Sequence, residues 1–327
     1  MTSSVAGSVP FAGSAVAELI DPLLRSWDAD RRVARPILVA TDGGRAAAAA
    51  LRVAAVRARR DHIDVEAVVV EGTLPSVPGV CITAEALRRE SFPASTRLGR
   101  VCAQLSTILG GNSWKLRVEF GRFGPTVARA ARGSRASLIL MGLSREGLAR
   151  RLLGSGAVAR VLQSAQIPVL AVPATARVLP HAAVAAIDFS PASLHAAREV
   201  RDHLARPGTL HIVHVLRPAT VQVGADIGGW DAIYAAGAST KLAELARDLT
   251  TDGITVAPRI ESGTVIDSLF RVATEVDAEV IACGARHRDA IERHLVGDVP
   301  LQLMLSGEYS VLIAPEPSSA DTLEESV

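Results

Sequence analysis

The feature that most limits what this chain can fold into is that it is written twice. GRFGPTVARAARGSRASLILMG, beginning at Gly121, returns as GTVIDSLFRVATEVDAEVIACG from Gly263, an offset of 142. The glycines closing those stretches, Gly142 and Gly284, keep that offset, as do VLAVP from Val169 and VLIAP from Val311. Upstream, ILVATDGG and VAAIDFS set Asp42 opposite Asp188 at an offset of 146, so four extra residues belong in a loop of the first copy. A repeat of this kind decides the architecture before any single element does.

Each copy alternates strand-like and helix-like segments. In the first, PILVAT is an apolar run of buried-strand length, RAAAAALRVAAVRARR is strongly helix-forming, and VEAVVV is strand-like. Residues 72–94 read as irregular, with Pro75, Pro78 and Pro93 as breakers. Leu98, Val101, Cys102, Leu105, Ile108 and Leu109 then fall on one helical face. KLRVEF, SLILM and VLAV, with helices between them, complete the copy, and VAAI, LHIVHV, TVAPRI, EVIAC and SVLIA repeat the order. Five strands, each but the last followed by a helix, predict a doubly wound parallel sheet in each copy. The expected division is an extension over 1–35 with a short helix from Ala17 to Trp27, a domain over 36–174, and a linker over 175–180. A second domain over 181–316 and a disordered tail over 317–327 follow.

Composition agrees. The chain is 49% hydrophobic but only 3% aromatic, so its cores are built of Ala, Val, Leu and Ile, as in parallel strands covered on both faces. A net charge of +1 gives little for long-range steering or counterion release to act on, which argues against nucleic acid and membrane surfaces as partners. No apolar run reaches the ~18 residues of a membrane span. Cys81, Cys102 and Cys283 are odd in number and far apart, fitting neither a disulfide framework nor a zinc cluster, and a reducing cytoplasm is the expected location.

In sheets of this kind ligands bind outside the carboxyl ends of the strands, where strand order reverses. The residues there are Asp42 and Asp188 after the first strands, Val70 and Val215 at the second, and Met141–Gly142 and Cys283–Gly284 at the fourth. An acidic residue after strand one, together with LILMG…LLGSGAVARVLQSAQIPVLAVP, resembles the universal stress protein family. The resemblance spans about 36–173 and 180–315. It implies two tandem flavodoxin-like, adenine nucleotide alpha hydrolase-like domains, many of whose relatives bind ATP, and a phosphate motif G-x2-G-x9-G-[ST] after strand four. Glycines there let backbone amides approach phosphates at a helix N-terminus.

Both copies depart from that motif. In the first, Gly142 fits, Arg145 stands at the second glycine, and Ser155–Gly156 reverses the final pair, which a one-residue slip restores as Gly154–Ser155. In the second, Gly284 and Gly297 fit, His287 replaces a glycine, and Asp298 takes the hydroxyl position. A carboxylate ~4 Å from a phosphate repels it by roughly 4 kcal/mol at an effective dielectric near 20, where about 1.4 kcal/mol is tenfold in affinity. Arg145, Arg150 and Arg151, or Arg286, His287, Arg288 and Arg293, offer replacement donors or are simply solvated charges. On the family pattern Asp42 and Asp188 contact a ribose or a metal such as Mg2+; as plain structure they form Asx caps of the following helix.

Other chemistry is weak. His211 and His214 are three apart on a strand and face opposite ways. His195 and His203 lie eight apart on a helix, and all four read as surface histidines. Cys283 reads as a small core residue. Neither G-x-S-x-G nor GxxxxGK[ST] occurs. The leading expectation is an adenine-nucleotide-binding regulatory module without turnover, with the first copy as the site and an unidentified protein partner. Its last strands would pair within the chain as a pseudo-dimer, and a homodimer is a further option. The alternatives are a ligand-free interaction protein on the same fold and an ATP-using enzyme of the related group. TDGGRAAA lacks the serine and aspartate of that group's SGGxDS-like loop.

Overall fold

In the computed structural model apolar runs and alanine-rich segments alternate as strands and helices, and the strands of the described residues, eleven in number, form one sheet. The structure describes residues 35–72, 80–83, 96–110, 115–143, 157–176, 178–216, 228–285 and 298–317. The expected helix over Ala17–Trp27 and the tail beyond 317 lie outside these. The first copy runs β1 (Ile37–Ala40), α1 (Arg45–Asp61), β2 (Val65–Glu71), β3 (Val80–Thr83), α2 (Arg97–Ile108), β4 (Lys115–Phe120), α3 (Phe123–Ser134), β5 (Leu138–Leu143), α4 (Ala157–Ser164) and β6 (Val169–Pro173). The second runs β7 (Ala182–Ala186), α5 (Pro191–His203), β8 (Gly208–Leu216), α6 (Gly228–Leu249), β9 (Ile254–Ser262), α7 (Val265–Glu275), β10 (Val280–Ala285), α8 (Asp298–Ser306) and β11 (Ser310–Pro315).

The strands are ordered β3-β4-β2-β1-β5-β6-β11-β10-β7-β8-β9. All neighbours are parallel except β3 with β4 and β6 with β11. Each copy is thus a doubly wound α/β unit with the first strand central. The last strands, β6 and β11, would be edges in isolated copies. Here Val311 registers with Ala171, Leu312 with Leu170 and Ile313 with Val169, and every residue of β6 and β11 is buried. Pairing satisfies backbone groups that would otherwise template unwanted strands.

Both sheet faces are covered, which is why β1 needs no polar alternation and is buried throughout. On one face Val127 of α3, Val161 of α4, Leu269 of α7 and Leu303 of α8 pack on Leu38, Ile139, Ile281 and Ile313. α1 and α5 pack against β5 and β10. Their alanines, Ala47, Ala50 and Ala54 in α1 and Ala192, Ala196 and Ala197 in α5, are buried.

Among the described residues the first copy has six strands, against the five expected. β3 lies inside the segment read as irregular and runs antiparallel to β4, with Val80 opposite Val118 and Ile82 opposite Leu116. The run VCIT between Pro78 and Pro93 is long enough to close an open edge, which local breaker signals do not reveal. The length difference between the copies falls mostly here: Glu71 accepts from Gly121 N and Leu216 from Gly263 N, so β2 and β8 are still offset by 145. In the second copy Pro258 stands where Leu116 does in the first. Gly263 N points toward β8, so by alternation residue 258 faces the open side, where a proline offers no donor. One copy covers its outer edge with a strand, and the other blunts it with an exposed proline.

Leu140 in β5 is fully buried between the layers. Leu140→Ala should lower unfolding free energy by about 2–5 kcal/mol in urea melts of the full chain; a loss below 1 kcal/mol would mean that the layers collapse around the void.

Candidate functional site

Strand order brings the carboxyl ends of β2, β1 and β5 side by side, with Ala40 in register with both Val68 and Met141. The chain leaves β1 toward β2 on one side and later returns through β5 on the other, so a crevice opens between β1 and β5. Asp42, Val70, Met141 and Gly142 stand at or just past these strand ends. Asp188, Val215 and Gly284 hold the matching places on β7, β8 and β10. Because β6 and β11 run antiparallel, the two crevices open toward opposite ends of the sheet.

The aspartates shape the turns that lead into the helices. Asp42 is exposed, and its Oδ1 accepts from Gly44 N at 2.8 Å, while Thr41 Oγ1 accepts from Gly43 N at 3.2 Å. Asp188, also exposed, accepts at Oδ1 from Ser190 N at 3.0 Å and from the Ser190 hydroxyl. These are Asx turns ahead of the helices, and they correct the plain structural expectation of helix caps. The N-cap of α1 is Gly44, with no side-chain bond, and that of α5 is Ser190, whose hydroxyl accepts from Ser193 N. Gly43 needs its left-handed φ of +77° and lies under α2, where a Cβ would sit 3.1 Å from Arg100 Cβ. Gln104 of α2 donates to Gly43 O at 2.8 Å, a tie from a distant helix that no sequence motif marks.

Gly142 and Gly284 are explained by packing. A Cβ on Gly142 would lie 2.5 Å from Ala47 N and 2.6 Å from Ala46 C; on Gly284 it would lie 2.6 Å from Ala192 C and Ser193 N. The first turns of α1 and α5 rest directly on these strand ends, at positions matched by the 146-residue offset. Open space for a phosphate is therefore not why these two residues are glycine. Val70 and Val215 are half-buried, and Val70 O accepts from Arg97 Nη1 at 3.2 Å. Met141 is buried in the core beneath the crevice. Cys283 is buried too, and burial pushes its thiol up to about 12, leaving it a core residue.

Arg145, Gly154, Ser155, Gly156, His287 and Gly297 lie outside the described residues, as do Arg150, Arg151, Arg286, Arg288 and Arg293. Two of the histidines read as surface residues are in the interior. His214 packs its ring 4.9 Å from that of Phe189 and holds Ile187 O at 2.7 Å through Nδ1. His203 is buried at the end of α5. Both lie where apolar helix or strand patterns turn inward, and an isolated histidine does not announce this in sequence. Among the described residues no group of three His, Cys, Asp or Glu is placed to hold a metal, and no helix is long and apolar enough to cross a membrane.

Fold and crevices together define a class: tandem doubly wound α/β domains, each with an aspartate after its first strand and a packing glycine at the end of its central returning strand. A family model for the universal stress proteins matches residues 34–173 and again 181–315. The chain belongs to the universal stress protein family, as a tandem member. Its fold is shared with a universal stress protein structure from Archaeoglobus fulgidus, at 17% identity and TM-score 0.54, covering 86% of this chain and 97% of the other. A Pseudomonas aeruginosa structure assigned to the same family matches at 18% identity and TM-score 0.60, over 90% and 98% of the two chains. No curated relative matches the chain.

Gly142→Ala and Gly284→Ala should each cost about 1–3 kcal/mol in urea melts without ligand, because α1 or α5 must lift from its strand. Unchanged stability would return these glycines to a purely ligand-directed role.

Proposed function

We propose that the chain is an adenine-nucleotide-binding regulatory module, cytoplasmic and without turnover, whose first half carries the working site. The observation that carries this reading is the meeting of Asp42, Val70, Met141 and Gly142 at the reversal of strand order in a universal stress protein domain. In this reading the exposed Asp42 carboxylate takes the ribose hydroxyls or an accompanying Mg2+, and the edge at Val70 and Met141 faces the base. Gly154, Ser155 and Gly156, with Arg145 beside them, receive the phosphates.

The preference for the first half rests on helix ends. α4 begins at Ala157 directly after Gly154–Ser155–Gly156 and has no acidic residue in its first turn. α8 begins at Asp298, and an acidic residue at a helix start disfavours a second anion there. Occupancy of the first crevice would favour one arrangement of the surrounding chain over another and so alter a surface offered to a protein partner; a ligand regulates only through such a difference.

Calorimetric titration with ATP, ADP and AMP tests this. Asp42→Ala should weaken nucleotide binding about 10- to 100-fold, the worth of a hydrogen bond to a charged group, while Asp188→Ala leaves it unchanged. Absence of binding by any of the three at millimolar concentration would overturn the proposal, and loss confined to Asp188→Ala would move the site to the second half.

A further inference from the structure

α1 packs against β6 and α5 against β11, so their C-terminal turns lie together over the junction of the two halves. The offset of 146 that matches Ala46 with Ala192 also matches Arg57 with His203. Related copies meet at their twofold axis through equivalent positions. Two arginines there would repel; this chain has one arginine and one histidine.

Both are buried, Arg57 at 8% and His203 at 2% exposure. Arg57 Nε lies 3.4 Å from Asp61 Oδ2, and Nη2 lies 3.9 Å from Glu199 Oε2 in the other half. Arg57 Nε and Nη1 and His203 Nδ1 are buried without hydrogen-bond partners. Beside them Arg60 reaches across and donates to Leu204 O at 2.7 Å and to Asp202 O, closing the carbonyl end of α5. The charged groups around His203 are therefore Arg57, Arg60 and Asp61 from α1, and Arg198, Glu199, Arg201 and Asp202 on its own helix.

We propose that this seam is a proton-released latch between the two halves, closed while His203 is neutral and opened when acidification protonates its ring. In the closed seam an imidazolium would be buried against two guanidiniums, with Asp61 the carboxylate that opposes them. In the open seam water solvates it. Burial first, then Arg57 and Arg60, holds the closed-state histidine down to about 3, against an ordinary value of 6.5. The closed value is the lower, so the seam keeps its full stability above pH 6.5 and loses it as pH falls from 6.5 toward 3. At pH 5 the open state gains about 30-fold over its population at neutral pH. Little sheet has to part, since only three residue pairs register across the junction, and parting them bares the apolar edges of β6 and β11.

Hydrogen exchange on the full chain tests the latch. Protection factors of the Val169, Ala171, Val311 and Ile313 amides, which face across the junction, are compared at pH 7.5 and 5.0, each corrected for the intrinsic rate. Wild type should lose about 30-fold, while amides of β1 and β7 keep their protection. His203→Gln, which takes no proton, should lose none. His203→Leu, equally unable to take a proton and suited to a buried position, serves if the glutamine variant fails to fold. A loss in either variant equal to that of wild type, or no loss in wild type, would overturn the proposal.

Discussion

Three residues of β6 lie antiparallel against three of β11, and this pairing governs how the duplicated halves can be arranged. Each half would otherwise end in a strand whose central run is Val, Leu, Ile and Ala, with an open row of backbone donors and acceptors. Paired, both strands become interior, and the eleven strands of the described residues form one sheet. The antiparallel sense turns the two crevices to opposite ends of the sheet and brings the ends of α1 and α5 together above the junction. The outer edges are closed differently, by β3 in one half and by Pro258 in the other. Duplication supplied two similar surfaces, and divergence gave them unlike partners.

The crevices depend on a second contact made twice, the first turn of α1 on Gly142 and of α5 on Gly284. A glycine at the end of a strand in a doubly wound fold invites a phosphate interpretation. Both glycines here are demanded by backbone atoms less than 3 Å from where a Cβ would lie, whether or not a nucleotide binds. The proposed preference for the first half rests further on, on the starts of α4 and α8, where one helix begins with an alanine and the other with an aspartate.

The fold was largely legible in sequence because its determinants repeat. An offset of 142 or 146 aligned strands, helices and glycines, and buried parallel strands leave unmistakable apolar runs. Features that depend on contacts between distant segments were not legible. β3 is a short run amid prolines whose strand character comes from the edge of β4, a partner more than 30 residues away. His203 and His214 have no local signature of burial, and Gln104 ties α2 to Gly43 across some 60 residues. At the site, Asp42 and Asp188 were identifiable by position, but their Asx turns with Gly44 and Ser190 are details of backbone geometry. The reason Gly142 is glycine was hidden for the same cause: its neighbour, α1, precedes it by nearly a hundred residues.

The central claim is that one half of this tandem chain holds an adenine nucleotide and the other does not. Native mass spectrometry of the full chain, equilibrated with ATP across the micromolar to millimolar range, counts bound ligands directly. It should show a single nucleotide per chain at saturation. A chain that stays ligand-free throughout, or one that fills two equal sites together, would contradict the claim.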